Sequence, residues 1–187
     1  MTHARACGVP VPEVFGVSGS DIMMERVVGP TMLEVLARRP WTVRDQARLL
    51  ARLHAQVHQV PVIPELPAPC DDDAGRDREV LLHMDLHPQN VILTATGPVI
   101  IDWEAAARGP AGYNVAMTWV IMHSSQVEGR HLRVSLTRAL QVAFTRSFAR
   151  AAGPIDQAWL AIAVRHRLTD PNVRPAERTR LERLPHG

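Results

Sequence analysis

The chain contains no lysine: all 21 of its basic residues are arginine. Any role that needs a lysine ammonium, such as holding a phosphate as a point charge, is therefore excluded from these 187 residues. Cysteine is nearly absent. Cys7 and Cys70 are far apart and fit no Cys-x-x-Cys spacing, so neither a disulfide framework nor a zinc site is expected. Aromatic residues make up 4% of the chain against 46% hydrophobic residues overall, which predicts a core of Leu, Val, Ile, Ala and Met. No apolar run approaches the ~20 residues of a membrane span. Residues 1–10 lack a charged start followed by an apolar stretch, so no signal peptide is expected and a cytoplasmic location is inferred. There is no internal repeat.

What is present is mostly helical. Val14 to Val17 and Ile22 to Val28 read as strands ending at Gly29-Pro30, after which Thr31 caps a short helix through Arg38. From Val43 to Val60, Val43, Ala47, Leu50, Leu53, Val57 and Val60 follow helical spacing and bury one face. Residues 61–77 are rich in proline and aspartate and read as a linker. Tyr113 to His123 is apolar nearly all round, as a central buried helix would be. Helices are predicted near Leu132 to Ala151 and Ile155 to Leu168, with a last, exposed one from Pro175 to Leu184.

Chemistry concentrates in His83-Met84-Asp85-Leu86-His87-Pro88-Gln89-Asn90 and in Ile101-Asp102-Trp103-Glu104. Val91–Thr94 and Val99–Ile101 are short apolar runs joined by Ala95-Thr96-Gly97-Pro98, which predicts a tight hairpin. Antiparallel pairing sets Asn90, just before the first strand, beside Asp102, just after the second. Phosphoryl transfer to a hydroxyl needs a carboxylate to orient the hydroxyl and take its proton, and oxygen ligands for magnesium. Asp85 suits the first role. Asn90 and Asp102 suit the second, because magnesium prefers hard oxygen donors. His83 and His87 flank Asp85, and one of them orders the loop by hydrogen bonding; the residues leave open which. His54 and His58 lie four apart on a helix but have no assignable third ligand, so they are given a structural or solvent-facing role.

On these residues, together with Gly109-Pro110-Ala111-Gly112-Tyr113-Asn114, the chain resembles the aminoglycoside phosphotransferase and choline-kinase-like family, over about residues 8–125. The resemblance implies an α+β, protein-kinase-like fold with a mainly helical large lobe and a vestigial small β lobe. It implies residues 1–29 as the small-lobe remnant and hinge and 30–187 as the large lobe. ATP and Mg2+ are the implied cofactors, and the backbone of Met24, Glu25 and Arg26 is the implied adenine hinge. Asn114 stands where relatives carry an aspartate that braces the catalytic loop, and an amide accepts a weaker hydrogen bond than a carboxylate. Met84 and Gln89 stand where relatives usually have glycine.

In relatives a phosphate-covering loop, a lysine strand and a glutamate helix precede the Gly8-Val9-Pro10-Val11-Pro12 segment. Met1 to Ala6 is similar to the end of that helix, so a truncated or remodelled kinase, incomplete by itself, is expected. Charge divides unevenly: residues 1–129 hold 10 Arg against 15 acids, net −5, and residues 130–187 hold 11 Arg against four acids, net +7. Relatives build much of their acceptor cleft from C-terminal helices, so this excess predicts a neutral or anionic hydroxylated acceptor. Two further expectations keep the fold or the charge without catalysis. One is a degenerate lobe that binds a partner or itself through the incomplete sheet. The other is an Arg-rich nucleic-acid binder, disfavoured by the lack of stacking aromatics and of a binding motif.

Overall fold

The computed structural model describes residues 1–69, 79–125 and 131–184, with side chains described from 135 onward in the last segment. Cys70 and most of the second half of the expected 61–77 linker lie outside them. The elements run α1 (Thr2–Ala6), β1 (Val14–Ser18), β2 (Asp21–Met24), α2 (Met32–Arg38), a 3-10 turn (Pro40–Thr42), α3 (Val43–Val57), β3 (Glu79–Leu82), β4 (Val91–Thr94), β5 (Gly97–Ile100), β6 (Ala107–Pro110), α4 (Ala111–Ser124), α5 (His131–Ala152), α6 (Gln157–Thr169) and α7 (Pro175–Leu181). Among the described residues no helix is long and apolar enough to cross a membrane. The strands form three antiparallel pairs, β1 with β2, β3 with β6 and β4 with β5. The fold is α+β and kinase-like.

Local chemistry explains most boundaries. Thr31 caps α2 in a reciprocal box: its hydroxyl accepts from the Glu34 N–H at 3.1 Å while the Glu34 carboxylate accepts from the Thr31 N–H at 2.8 Å. Asp156 caps α6 by accepting from the Ala158 N–H at 2.7 Å. The β4–β5 turn is tighter than the sequence suggested. Thr94 pairs with Gly97, so the loop is Ala95-Thr96 and Pro98 lies inside β5 opposite Leu93. Proline is tolerated there because the Leu93 N–H points the other way, to the Pro30 carbonyl at 2.8 Å. Strand β2 stops at Met24, short of the expected Val28, and residues 25–28 lead on to Gly29 without regular structure. A Cβ at Gly29 would lie 2.4 Å from the Leu93 carbonyl oxygen, so only glycine lets the two backbones approach this closely.

Two apolar cores carry the packing. The first joins Ala4, Val9 and Val11 to α2, α3 and α5, with Leu50, Leu53, Leu86, Val91, Ile100 and Phe148 at its centre. The second joins β3, β6, α4, α6 and α7 around Tyr113, Leu82, Val120, Ala163 and Leu181. Gly112 is the contact point of α4 with α6, where a Cβ would lie 2.9 Å from the Trp159 ring. Helix α7, expected to be exposed, instead buries Leu181 and Glu177. The carboxylate of Glu177 accepts from Arg167 Nε at 3.0 Å and from the Ser124 hydroxyl at 3.1 Å. The first half of the expected linker is pinned as well, the Arg108 N–H donating to the Pro67 carbonyl at 2.9 Å. Loop 83–90 lies between the two cores, with Leu86 in the first and Met84 in the second.

Candidate active site

The register of β4 and β5 continues past Val91 and Ile100, the Ile101 N–H donating to the Asn90 carbonyl at 3.0 Å. Asn90 and Asp102 are thereby carried to the same end of the hairpin. The Asn90 amide nitrogen donates to the Asp85 carbonyl and to Asp85 Oδ2, both at 2.9 Å. With both amide hydrogens committed to Asp85, Asn90 Oδ1 is left as an oxygen donor. Among the described residues neither that atom nor the Asp102 carboxylate makes a hydrogen bond or ion pair, and Asp102 is exposed. One amide oxygen and one carboxylate fit the preference of Mg2+ for hard ligands and water. Among the described residues no cluster of three or more His, Cys, Asp or Glu could hold a metal, so a site of the zinc type is not formed by His54 and His58.

The two loop histidines are tied differently. His83 is fully buried; its Nδ1 accepts from the Asp85 N–H at 3.3 Å and its Nε2 donates to the Ile101 carbonyl at 3.0 Å. Burial pushes its pKa from the usual 6.5 to about 4, so it is a neutral strut between the loop and the Asp102 strand. Its ring also packs on Trp103, with centroids 4.6 Å apart. His87 Nδ1 accepts from the Gln89 N–H at 3.2 Å, and its Nε2 lies 3.4 Å from Asp85 Oδ1. Burial alone would raise the Asp85 pKa, but the bond from His87 and the charge of Arg167 outweigh it, and the carboxyl is held below its usual value. Asp85 is thus ionised at neutral pH.

Two residues near the reacting groups have left-handed backbones, Met84 with φ 67° and Asp102 with φ 63°. For a residue with a Cβ this costs on the order of 1–2 kcal/mol, so the surroundings must enforce it. Asn114 does so at Met84, its Oδ1 accepting the Met84 N–H at 3.1 Å. The Asn114 side chain thus reaches loop 83–90 at Met84. What sequence reasoning missed is its other end, where the Asn114 amide meets His58 at 2.9 Å and His54 at 3.4 Å, 56 and 60 residues away in the chain.

The residues Asp85, Asp102, Glu104, His166, Arg167 and Asp170 line a cleft of about 480 Å3. Arg167 was also missed by sequence reasoning; among the described residues it is the one arginine lining the cleft, and it is paired to Asp170 at 2.7 Å and to Glu177. Arg138, Arg146, Arg150, Arg165 and Arg183 are exposed and line no part of it. These five arginines are turned to solvent, so the count of C-terminal arginines does not by itself set the charge of the cleft. Met24, Glu25 and Arg26 are not among the residues that line this cleft. The Glu25 N–H is committed to the Glu13 carbonyl at 2.7 Å, and the Glu25 carboxylate accepts from the Glu13 N–H at 3.1 Å.

Comparison with known proteins bears on the fold and the family of the chain. A stretch of 39 residues, 21% of this chain, is 46% identical to the thiamine kinases of Salmonella newport (strain SL254) and Salmonella heidelberg (strain SL476). The match spans 14% of the length of those curated relatives. Among solved structures, a thermostable mutant of the aminoglycoside phosphotransferase APH(4)-Ia aligns over 89% of this chain and 72% of its own, at 15% identity and TM-score 0.59. The aminoglycoside-3'-phosphotransferase of type VIII aligns over 87% and 74%, at 19% identity and TM-score 0.56. Amicoumacin kinase hAmiN, in complex with AMP-PNP, Ca2+ and Ami, aligns over 97% and 72%, at 12% identity and TM-score 0.52. At these identities the likeness is one of fold. The model of the phosphotransferase enzyme family matches residues 62–163, more than half of the chain and the whole of the loop, hairpin and central helix just described, and the chain belongs to that family.

Proposed function

We propose that this chain carries the catalytic half of an ATP-dependent phosphotransferase that modifies a hydroxyl group on a small molecule. The observation that carries this reading is the Asn90 amide, fixed by two bonds to Asp85 so that its oxygen is left unbonded, at the same end of the β4–β5 hairpin as the exposed Asp102. Asp85 orients the acceptor hydroxyl and takes its proton as the new phosphorus–oxygen bond forms and the bond from the γ-phosphorus to the β,γ-bridging oxygen breaks, ADP leaving; its ionised state at neutral pH suits a late proton transfer in a loose transition state. Asn90 and Asp102 would hold magnesium, which when bound neutralises charge on the phosphate oxygens. A relative of this fold was solved with AMP-PNP and Ca2+, in keeping with a nucleotide and a divalent ion. Met24 to Arg26 remain the proposed adenine contact, through groups other than the Glu25 N–H.

Beside Asp85 the cleft carries Glu104 and Asp170 against one arginine that is already paired, so an uncharged or positively charged acceptor is favoured over an anion. Without a lysine the 187 residues lack the usual phosphate anchor, and turnover by this chain is expected to be slow. The test is single-turnover transfer from labelled ATP to cationic, neutral and anionic alcohols. Weak transfer abolished by Asp85→Asn supports the reading; transfer indifferent to Asp85→Asn sinks it. A second reading, a lobe that binds a partner or a second copy without catalysis, is favoured by β1–β2, where Phe15, Val17, Ile22 and Met23 are all exposed. Tight self-association with no Mg-nucleotide binding would select it.

A further inference from the structure

We infer that His58, with His54 and Thr118, is a positioning residue of the catalytic loop: through Asn114 it holds Met84 in its left-handed conformation and so sets the direction of Asp85. This rests on the reading of Asp85 as the base. The inference follows from allotting each hydrogen in a buried network. Thr118 has one hydroxyl hydrogen, and it goes to the Leu86 carbonyl at 2.9 Å. Toward His54 Nε2, 3.1 Å away, Thr118 can therefore only accept, so His54 carries its proton on Nε2. The bare Nδ1 of neutral His54 then faces the Asn114 amide nitrogen at 3.4 Å.

Asn114 Oδ1 is taken by the Met84 N–H, which turns the NH2 end of the side chain toward α3. There it donates to His58 Nε2 at 2.9 Å, so His58 must hold its proton on the opposite nitrogen, Nδ1. Each contact in this chain pairs one donor with one acceptor without any charge, and among the described residues the His58 Nδ1–H meets no protein acceptor. Burial agrees, lowering His58 from the usual 6.5 to about 4 and His54 well below it. An aspartate at position 114 would have no hydrogen to offer either imidazole. The asparagine and the two neutral histidines are therefore one matched set, and the set contacts the loop at Met84 and Leu86, on both sides of Asp85. Because Met84 has φ 67°, releasing its N–H would let the backbone relax and turn the next residue away from Asn90.

The first test needs no activity. Long-range nitrogen–proton NMR on the 187-residue chain between pH 6 and 8 should find His54 protonated on Nε2 and His58 on Nδ1, with no titration of either; a shared tautomer, or titration of either ring in this range, overturns the inference. Hydrogen exchange of the Met84 amide should quicken about tenfold in His58→Leu and return to within about twofold of wild type in His58→Gln, whose oxygen can accept from Asn114. Equal exchange in all three refutes the clamp. Asn114→Asp should raise the pKa of His54 or His58 above 6.5, and two rings that stay neutral near pH 6 would refute it too. Should His58→Leu not fold, the tautomers and Asn114→Asp still decide the matter.

The link to the site is read from the Mg-ATP-induced rise in melting temperature. It should fall in His58→Leu and recover in His58→Leu with Met84→Gly, since glycine takes φ 67° without a clamp. A merely structural histidine would lower stability without this rescue. No Mg-ATP shift in the wild-type chain would count against the catalytic reading alone, leaving the tautomer and exchange results to judge the clamp.

Discussion

The two hairpins of this chain, β4–β5 and β1–β2, each pair four residues in antiparallel register and have opposite surroundings. In β4–β5, Val91 and Ile100 are fully buried, and both outer edges are bonded, Leu93 to Pro30 and Ile100 to Pro10. In β1–β2 the side chains of Phe15, Val17, Ile22 and Met23 stand in solvent. Rigidity at the candidate site thus comes from what surrounds the hairpin, not from strand pairing, which both share. Loop 83–90 extends this contrast, because neutral groups fasten it at His83, Met84, Leu86 and Asn90.

The largest expected effect is acid. His58 and His83 each have a folded pKa near 4 against an ordinary 6.5. Between those values the unfolded chain binds protons that the folded chain does not, so stability is complete above about pH 6.5 and falls as the pH is lowered toward 4, by roughly 3 kcal/mol for each histidine. His54 adds to the loss in the same direction. Asp85, with its lowered pKa, contributes a loss of the same sign only below the ordinary carboxylate range. Urea unfolding followed across pH measures this, and a midpoint flat between pH 7 and 4.5 would contradict it. His58→Gln should lessen the slope.

Next in size is packing under the loop. Leu86 is fully buried beside Asp85, and truncation to alanine there typically costs 2–5 kcal/mol. A loss under 1 kcal/mol by urea denaturation would mean that the loop is less firmly seated than its burial implies.

Much of this arrangement is legible in the sequence where the physics is local. The His83-x-Asp85-x4-Asn90 spacing, the Thr31–Glu34 cap and the apolar run of α4 all lie within one element or one turn. What the sequence does not display depends on partners far along the chain. His54 and His58 read as incidental surface or core residues until Asn114 and Thr118 are brought to them. Glu177 reads as part of an exposed helix until Arg167 and Ser124 meet it, and Arg138, Arg146, Arg150, Arg165 and Arg183 count toward the charge of the cleft until their helices turn them outward. The bulk of Met84 where relatives have glycine is a local clue to its strained backbone, but not to what enforces it.

A smaller effect is expected from the proposed metal ligands, Asn90 and Asp102. Asp102→Asn should leave apo stability nearly unchanged, because Asp102 is exposed, makes no hydrogen bond among the described residues, and asparagine tolerates a left-handed backbone. It should nevertheless remove most of the Mg-nucleotide stabilisation, which by mass action is about 2.7 kcal/mol at a hundredfold excess over the dissociation constant. Thermal melts with and without Mg-ATP measure both quantities. An undiminished shift in Asp102→Asn would assign the nucleotide to another place.

The smallest effect is expected in β1–β2. Val17 is 68% exposed, and Val17→Thr keeps the branched side chain that suits a strand while removing apolar surface from water. Stability measured by urea should change by less than about 0.5 kcal/mol, the usual range for surface positions. A loss above 1 kcal/mol in dilute protein would show that this hairpin is packed in solution and that the contrast with β4–β5 is smaller than drawn. A loss that appears only as the protein concentration is raised would instead show that a second copy covers it, since a substitution at a contact between copies destabilises in proportion to how much of the protein is assembled.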